Sequence, residues 1–110
     1  MGEILEFRKS RFAIGQVINH RLFGYRGVIA DVDPVFQGTD EWYDAVARSR
    51  PPKDKPWYQV LVDGATHTTY VAERNLAADD SGEQVKHPLI EHFFTGFLNG
   101  RYVVNSHHAN

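Results

Sequence analysis

The chain has 110 residues and no cysteine. Disulfide frameworks, thiolate metal sites and cysteine nucleophiles are therefore excluded together, as fits a reducing compartment. Charge of one sign is not in excess either: 12 Lys and Arg face 14 Asp and Glu, for a net charge of −2. A strong general grip on duplex DNA, which rests on phosphate neutralisation, is not expected from that balance. The opening MGEILEFRKSRF has no long apolar core and carries Glu3 and Glu6, so it reads neither as a secretory signal nor as a membrane span. A myristoylation signal at Gly2 would want Ser or Thr where Glu6 stands. The expectation is a cytoplasmic protein with no membrane partner.

Catalytic signatures are also missing. No Gly-Lys-Ser/Thr occurs, and His20, His67, His87, His92, His107 and His108 form neither HExxH nor a His-x₃-His pair. Serines 10, 49, 81 and 106 fall in linkers or tails, which gives a serine nucleophile no scaffold. No enzyme activity, metal or cofactor is expected, and His20 and His67 are read as buried or half-buried hydrogen-bonding groups.

What is present is aromatic and β-rich. GQVINHRL and GVIADVD alternate in polarity, which reads as two strands of a hairpin joined by FGYRG. Pro34 ends the second strand and opens a long excursion over 34–56. Inside it, TDEWYDAVARS has Thr39 as N-cap, acids in the first turn, and Trp42, Ala45 and Val46 on one face. WYQVLVDGATHTTYV gives two further strands around an Asp63-Gly64 turn of two positive-φ residues, and AERNL closes the sheet. Residues 1–11 form a mobile arm, 12–76 a β domain, 77–86 a polar linker, and 87–110 a C-terminal helix and tail. In that helix Pro88 starts the run and Asn99-Gly100 ends it. The fold expected is mainly β: a small bent SH3-like β-barrel with a short helical insertion and a C-terminal helix.

Gly24-Tyr25-Arg26-Gly27 is formally a GxxG. A phosphate-cradling loop needs a helix N-terminus directly after it, and here a β-patterned run follows, so the glycines are read as hairpin geometry. Asp31 and Asp33 share a strand face. They are read as a strand ending that satisfies turn amides or an arginine rather than as an acid–base pair.

Tyr25 and Arg26, held at the corner beside Phe23, are candidate partner-binding residues. Trp57 and Tyr58 open a strand, so one is expected in the core and the other outward. Charges are unevenly spread: Arg8, Lys9, Arg11, Arg21 and Arg26 lie in the first thirty residues, whereas 31–47 carry only acids. Those five cations are the candidate nucleic-acid contacts. The stripe Ile90, Phe93, Phe94 and Phe97 is either core or a self-association surface.

Together FAIGQVINHRLFGYRGVIADVDPVF, EWY, RPPKDKPWYQVLVD and TYVAERNL resemble, in order and spacing over Phe12 to Leu76, the YccV/HspQ family of small bacterial heat-shock proteins. The resemblance implies a bent SH3-like barrel. It also implies two functions: binding of hemimethylated DNA, and a part in proteolysis under heat stress, as a specificity factor for a Lon-type protease acting on clients such as the replication initiator DnaA.

Overall fold

A computed structural model describes residues 10–105. The candidate contacts Arg8 and Lys9, most of the expected arm and the tail histidines lie outside the described residues. The chain is mainly β. Its strands are β1 (Val17–His20), β2 (Arg26–Asp33), β3 (Trp57–Val62), β4 (Thr68–Ala72) and β5 (Leu76–Ala78), followed by β6 (Phe94–Leu98) and β7 (Arg101–Val104). Helices are short: α1 (Asp40–Val46), α2 (Ile90–Phe93) and a 3₁₀ turn over Glu73–Asn75.

The first five strands form one antiparallel sheet in the order β4-β3-β2-β1-β5. The 3₁₀ turn carries the chain from one edge of this sheet to the other. The sheet is bent but not closed into a barrel, since β4 and β5 do not pair. Alternation along each strand feeds two cores, because both faces of the bent sheet are covered. One face buries Phe12, Ile18, Ile29, Tyr58, Val60, Val71 and Leu76. The other buries Val17, Val28, Ala30 and Leu61 against Val85, Phe94 and Tyr102.

The expected C-terminal helix is corrected. Only Ile90–Phe93 is helical, and Phe94–Leu98 pairs with Arg101–Val104 as a hairpin. Asn99 and Gly100 adopt φ of 53° and 80°, and Leu98 faces Arg101 across them. That is the two-residue turn whose positive φ angles suit the twist of a hairpin. The stripe turns inward as well. Phe94 is buried, and Ile90, Phe93 and Phe97 pack half-buried on this chain's own second core.

The expected linker 77–86 is fixed in place. Leu76–Ala78 pairs with β1. Tyr102 clamps Val85 twice, its hydroxyl donating to the Val85 carbonyl at 3.1 Å and accepting from the Val85 amide at 2.7 Å.

Two glycine readings change. Gly27 lies within β2, not in the corner, and a Cβ there would meet Val60 Cγ1 at 2.5 Å and the Leu61 carbonyl oxygen at 2.6 Å. It is glycine so that β3 can approach. The Asp63-Gly64 turn is longer than two residues, because β3 ends at Val62 and β4 begins at Thr68. Only Gly64 there has positive φ.

Candidate functional site

The corner between β1 and β2 is built around His20. Its main chain accepts from the Gly24 amide at 2.8 Å and donates to the Tyr25 carbonyl at 2.8 Å. Its Nδ1 accepts from the amides of Leu22 (3.2 Å) and Phe23 (3.1 Å). Nδ1 must therefore be unprotonated, which puts the neutral ring's hydrogen on Nε2. The ring is buried, and burial lowers its pKa from the ordinary 6.5. Phe23 stacks on it with centroids 4.6 Å apart, and Tyr25 lies 5.0 Å from it.

The Tyr25 hydroxyl bonds Thr69 Oγ1 at 2.8 Å, tying the corner to β4. Burial raises the Tyr25 pKa, only partly offset by that bond. The corner thus holds two apolar side chains rigidly in solvent: Leu22 is 60% exposed and Phe23 76%.

Opposite the corner stands the excursion. Thr39 caps α1 as expected, its Oγ1 accepting from the Trp42 amide at 3.1 Å. The helix buries Tyr43 with Trp42 and Ala47 half-buried, not the expected face of Trp42, Ala45 and Val46; Val46 is 54% exposed. Phe36, Trp42, Tyr43, Trp57 and Tyr70 form a contiguous aromatic cluster with centroids about 5–6 Å apart. Tyr43 and Trp57 donate to the carbonyls of Pro51 (2.6 Å) and Pro52 (3.0 Å), which pins the returning chain. Tyr70 donates to Asp33 Oδ2 at 2.6 Å and accepts from the Gln37 amide at 3.0 Å. Asp33 therefore meets a tyrosine, not the expected arginine or turn amide. Burial and that carboxylate push the Tyr70 hydroxyl pKa upward.

Between corner and excursion runs a groove of about 680 Å³ along β4. Its walls are the corner (His20, Leu22, Phe23, Tyr25), the C-terminal half of α1 with 47–49, and all of Thr68–Ala72. The lining includes one charged side chain, Arg48, and no carboxylate. Arg21 is exposed beside Leu22, and Arg74 donates to the Ser49 carbonyl at the same end.

The expected site residues separate in this frame. Phe23 and Tyr25 line the groove. Trp57 also lines it but is 1% exposed, and Tyr58 is 0% exposed on the opposite face, so the expected outward member of that pair does not exist. Tyr58 donates to Glu73 Oε2 at 2.5 Å and accepts from the Phe12 amide at 3.3 Å. Burial and Glu73 raise its pKa.

Arg26 turns away from the groove and into the chain. It pairs with Asp63 at 2.9 Å and Asp79 at 3.2 Å, and donates to the carbonyls of Glu83 and Gln84. Burial would raise the Asp79 pKa, yet the bonds from Ser81, Arg26 and Asn19 hold it below 3.8. The Arg11 amide donates to Glu73 Oε2, and its guanidinium lies over the Phe12 ring. His67 is exposed, contrary to its expected burial; its carbonyl bonds His87 Nε2.

Sequence reasoning missed Leu22, Val46, Arg48 and β4 itself as groove walls. Two consecutive apolar residues, Leu22-Phe23, directly before a turn glycine were the available signal. The described residues hold no group of His, Asp and Glu arranged for a metal, and no helix among them is long and apolar enough to cross a membrane. A family model described as hemimethylated DNA-binding protein YccV like matches residues 10–101, which spans the bent sheet, the groove and most of the C-terminal hairpin, and the chain belongs to that YccV-like family.

Proposed function

We propose that the protein is a non-enzymatic adaptor. Its groove would hold an exposed apolar segment of a denatured or specific client, as in DnaA-like substrates, and raise the client's degradation by a Lon-type protease during heat stress. The observation that carries this reading is the groove itself, a preformed apolar cleft whose exposed wall residues Leu22, Phe23 and Val46 stand out in solvent without a covering segment among the described residues. Such patches mark interaction sites.

The test is client half-life with the protease, with and without the protein and with a Phe23→Ser variant. Faster decay with the wild type and little acceleration with the variant is expected. Unchanged half-life across several clients overturns the reading.

A second reading is favoured by the description of the family, hemimethylated DNA binding. Arg48 lines the groove, the Arg21 amide and the Arg74 guanidinium bond the carbonyls of the lining residues Asn75 and Ser49, and Arg11 lies near Glu73. Phosphate contacts by such a set would make affinity fall steeply with salt, roughly one log unit per log unit of salt for each phosphate neutralised. Reading the methyl would require base contact in the major groove. A salt titration with unmethylated and hemimethylated duplexes separates the two readings, because a peptide held mainly by apolar contacts responds weakly to salt.

A further inference from the structure

We infer that the outer edge of β4 takes an extended peptide by strand addition, with the peptide's apolar side chains in the groove and a carboxylate at Arg48. This rests on the adaptor reading and specifies the form of the client segment. Strand β4 is an edge of the five-stranded sheet. Thr68, Tyr70 and Ala72 share the sheet face of Leu61, Gln59 and Trp57, while Thr69 and Val71 share the face of the first core with Val60 and Tyr58. Yet all five line one groove. A groove reached from both faces of a strand has to run along that strand's edge.

The edge is unsatisfied on its open side. In an antiparallel pair, alternate residues turn their N–H and C=O away from the partner strand. Among the described residues no main-chain or side-chain group bonds the outward amides or carbonyls of 68–72.

The sequence of the edge points the same way. Exposed edges are usually blunted by Lys, Pro, bulges or shortness, and TTYVA has none of these except moderate length. It is β-favouring and uncharged. At about 3.3 Å per residue it presents about 17 Å, which suits five to seven peptide residues.

Charge then restricts the peptide. The groove has no carboxylate, Arg48 lines it, and Arg21 and Arg48 form no ion pair among the described residues. An acidic residue in an otherwise apolar, β-prone segment fits both features. A nucleic-acid strand would satisfy the cations but not the outward carbonyls, because its backbone offers acceptors without alternating donors.

The test uses the full chain, isotope-labelled, and a fluorescein-tagged heptapeptide of alternating Val and Thr with one Asp. Two versions place the Asp at opposite ends, since the strand direction is set by Arg48. Expected are slowed amide exchange confined to 68–72 and the corner, and tight binding of one version. N-methylation of alternate peptide amides in one register should weaken binding at least about tenfold while the other register is tolerated. Arg48→Glu should weaken the Asp peptide about tenfold and favour a Lys counterpart. Arg48 is exposed, and an unchanged melting curve verifies that this variant is folded.

Equal binding by both N-methylated registers, or exchange protection away from β4, overturns strand addition. If client degradation still depends on Phe23 in that case, the adaptor reading stands alone. If peptides add to β4 but no client's half-life changes, the adaptor reading falls and the edge site stands. Protection of β4 by oligothymidylate but by neither peptide overturns the inference in favour of nucleic acid.

Discussion

The two edges of the main sheet are treated in opposite ways. At β5 the edge is three residues long and its continuation is bound down: Arg26 reaches across to Asp63, Asp79, Glu83 and Gln84, and Tyr102 grips Val85 from the hairpin side. At β4 the edge is longer, uncharged and open onto an apolar groove. The contrast teaches that the charges which could have served a ligand were used to lock one side. The side left open relies on aromatic packing to stay rigid, with His20 beneath Phe23 and Tyr70 braced by Asp33. Rigid open edges are rare because they invite pairing.

Four changes break or sharpen this contrast, taken from the largest effect downward. Gly15 has φ of +92°, and a Cβ there would lie 2.3 Å from the Tyr102 carbonyl oxygen. It also joins hairpin to sheet through Gly15 N to Ile29 O and Tyr102 N to Gly15 O, both 2.8 Å. Gly15→Ala is therefore expected to cost about 3 kcal/mol or more on the locked side, read from the denaturant midpoint.

Arg26→Ala comes next, at about 2–3 kcal/mol, since it strands Asp63 and Asp79 and frees the carbonyls of the 83–84 loop. Asp79 gives this lock an acid limit. Its lowered pKa means the contribution is whole above about 3.8 and is lost as pH falls through the native value. Arg26→Ala should flatten that part of the pH–stability profile, and amide exchange should speed up over 79–85 while β4 is unaffected.

His20 sets a milder limit on the open side. Its native pKa lies below 6.5, so its unfolded form binds the extra proton in the intervening window. Stability is whole above 6.5 and declines as pH falls from there through the lowered native pKa. Melting wild type and His20→Gln in parallel between about pH 7.5 and about pH 5 should show the wild type losing more on acidification. Equal slopes would mean that Nδ1 does not anchor the corner.

The smallest stability effect belongs to Phe23→Ser, about 0.5 kcal/mol for a side chain this exposed. Its value is the mismatch: client affinity should drop while the melting temperature hardly moves. A drop in both would make Phe23 part of the fold and dissolve the contrast.

Much of the sheet was legible, because alternation, turn residues and the Thr39 cap are local signals. GQVINHRL, GVIADVD and WYQVLV each fall on a strand, and TDEWYDAV holds α1. The C-terminal segment was misread because Phe93, Phe94 and Phe97 also fit helical spacing. Asn99-Gly100 fits a helix stop, but it is the stronger signal for a hairpin turn.

Arg26 at a glycine-flanked corner looked exposed, yet its partners are 37 and 53 residues away, and no local pattern announces a lock of that range. Trp57 was hidden by the excursion for the same reason: α1 needs tertiary placement before it can cover anything. The groove is legible only in part, through Phe23 and Tyr25. Its other wall comes from an edge strand that sequence alone does not order within a sheet.

Tyr102 has one more consequence, for the order in which the molecule can be made. The second core closes on a residue that is synthesised after nearly every strand it holds together. A nascent chain released only as far as Ala78 has all five strands of the main sheet but leaves Val17, Val28 and Leu61 uncovered on one face. During synthesis that face and the β4 edge are open at the same moment. Completion of the hairpin covers the first and leaves only the second.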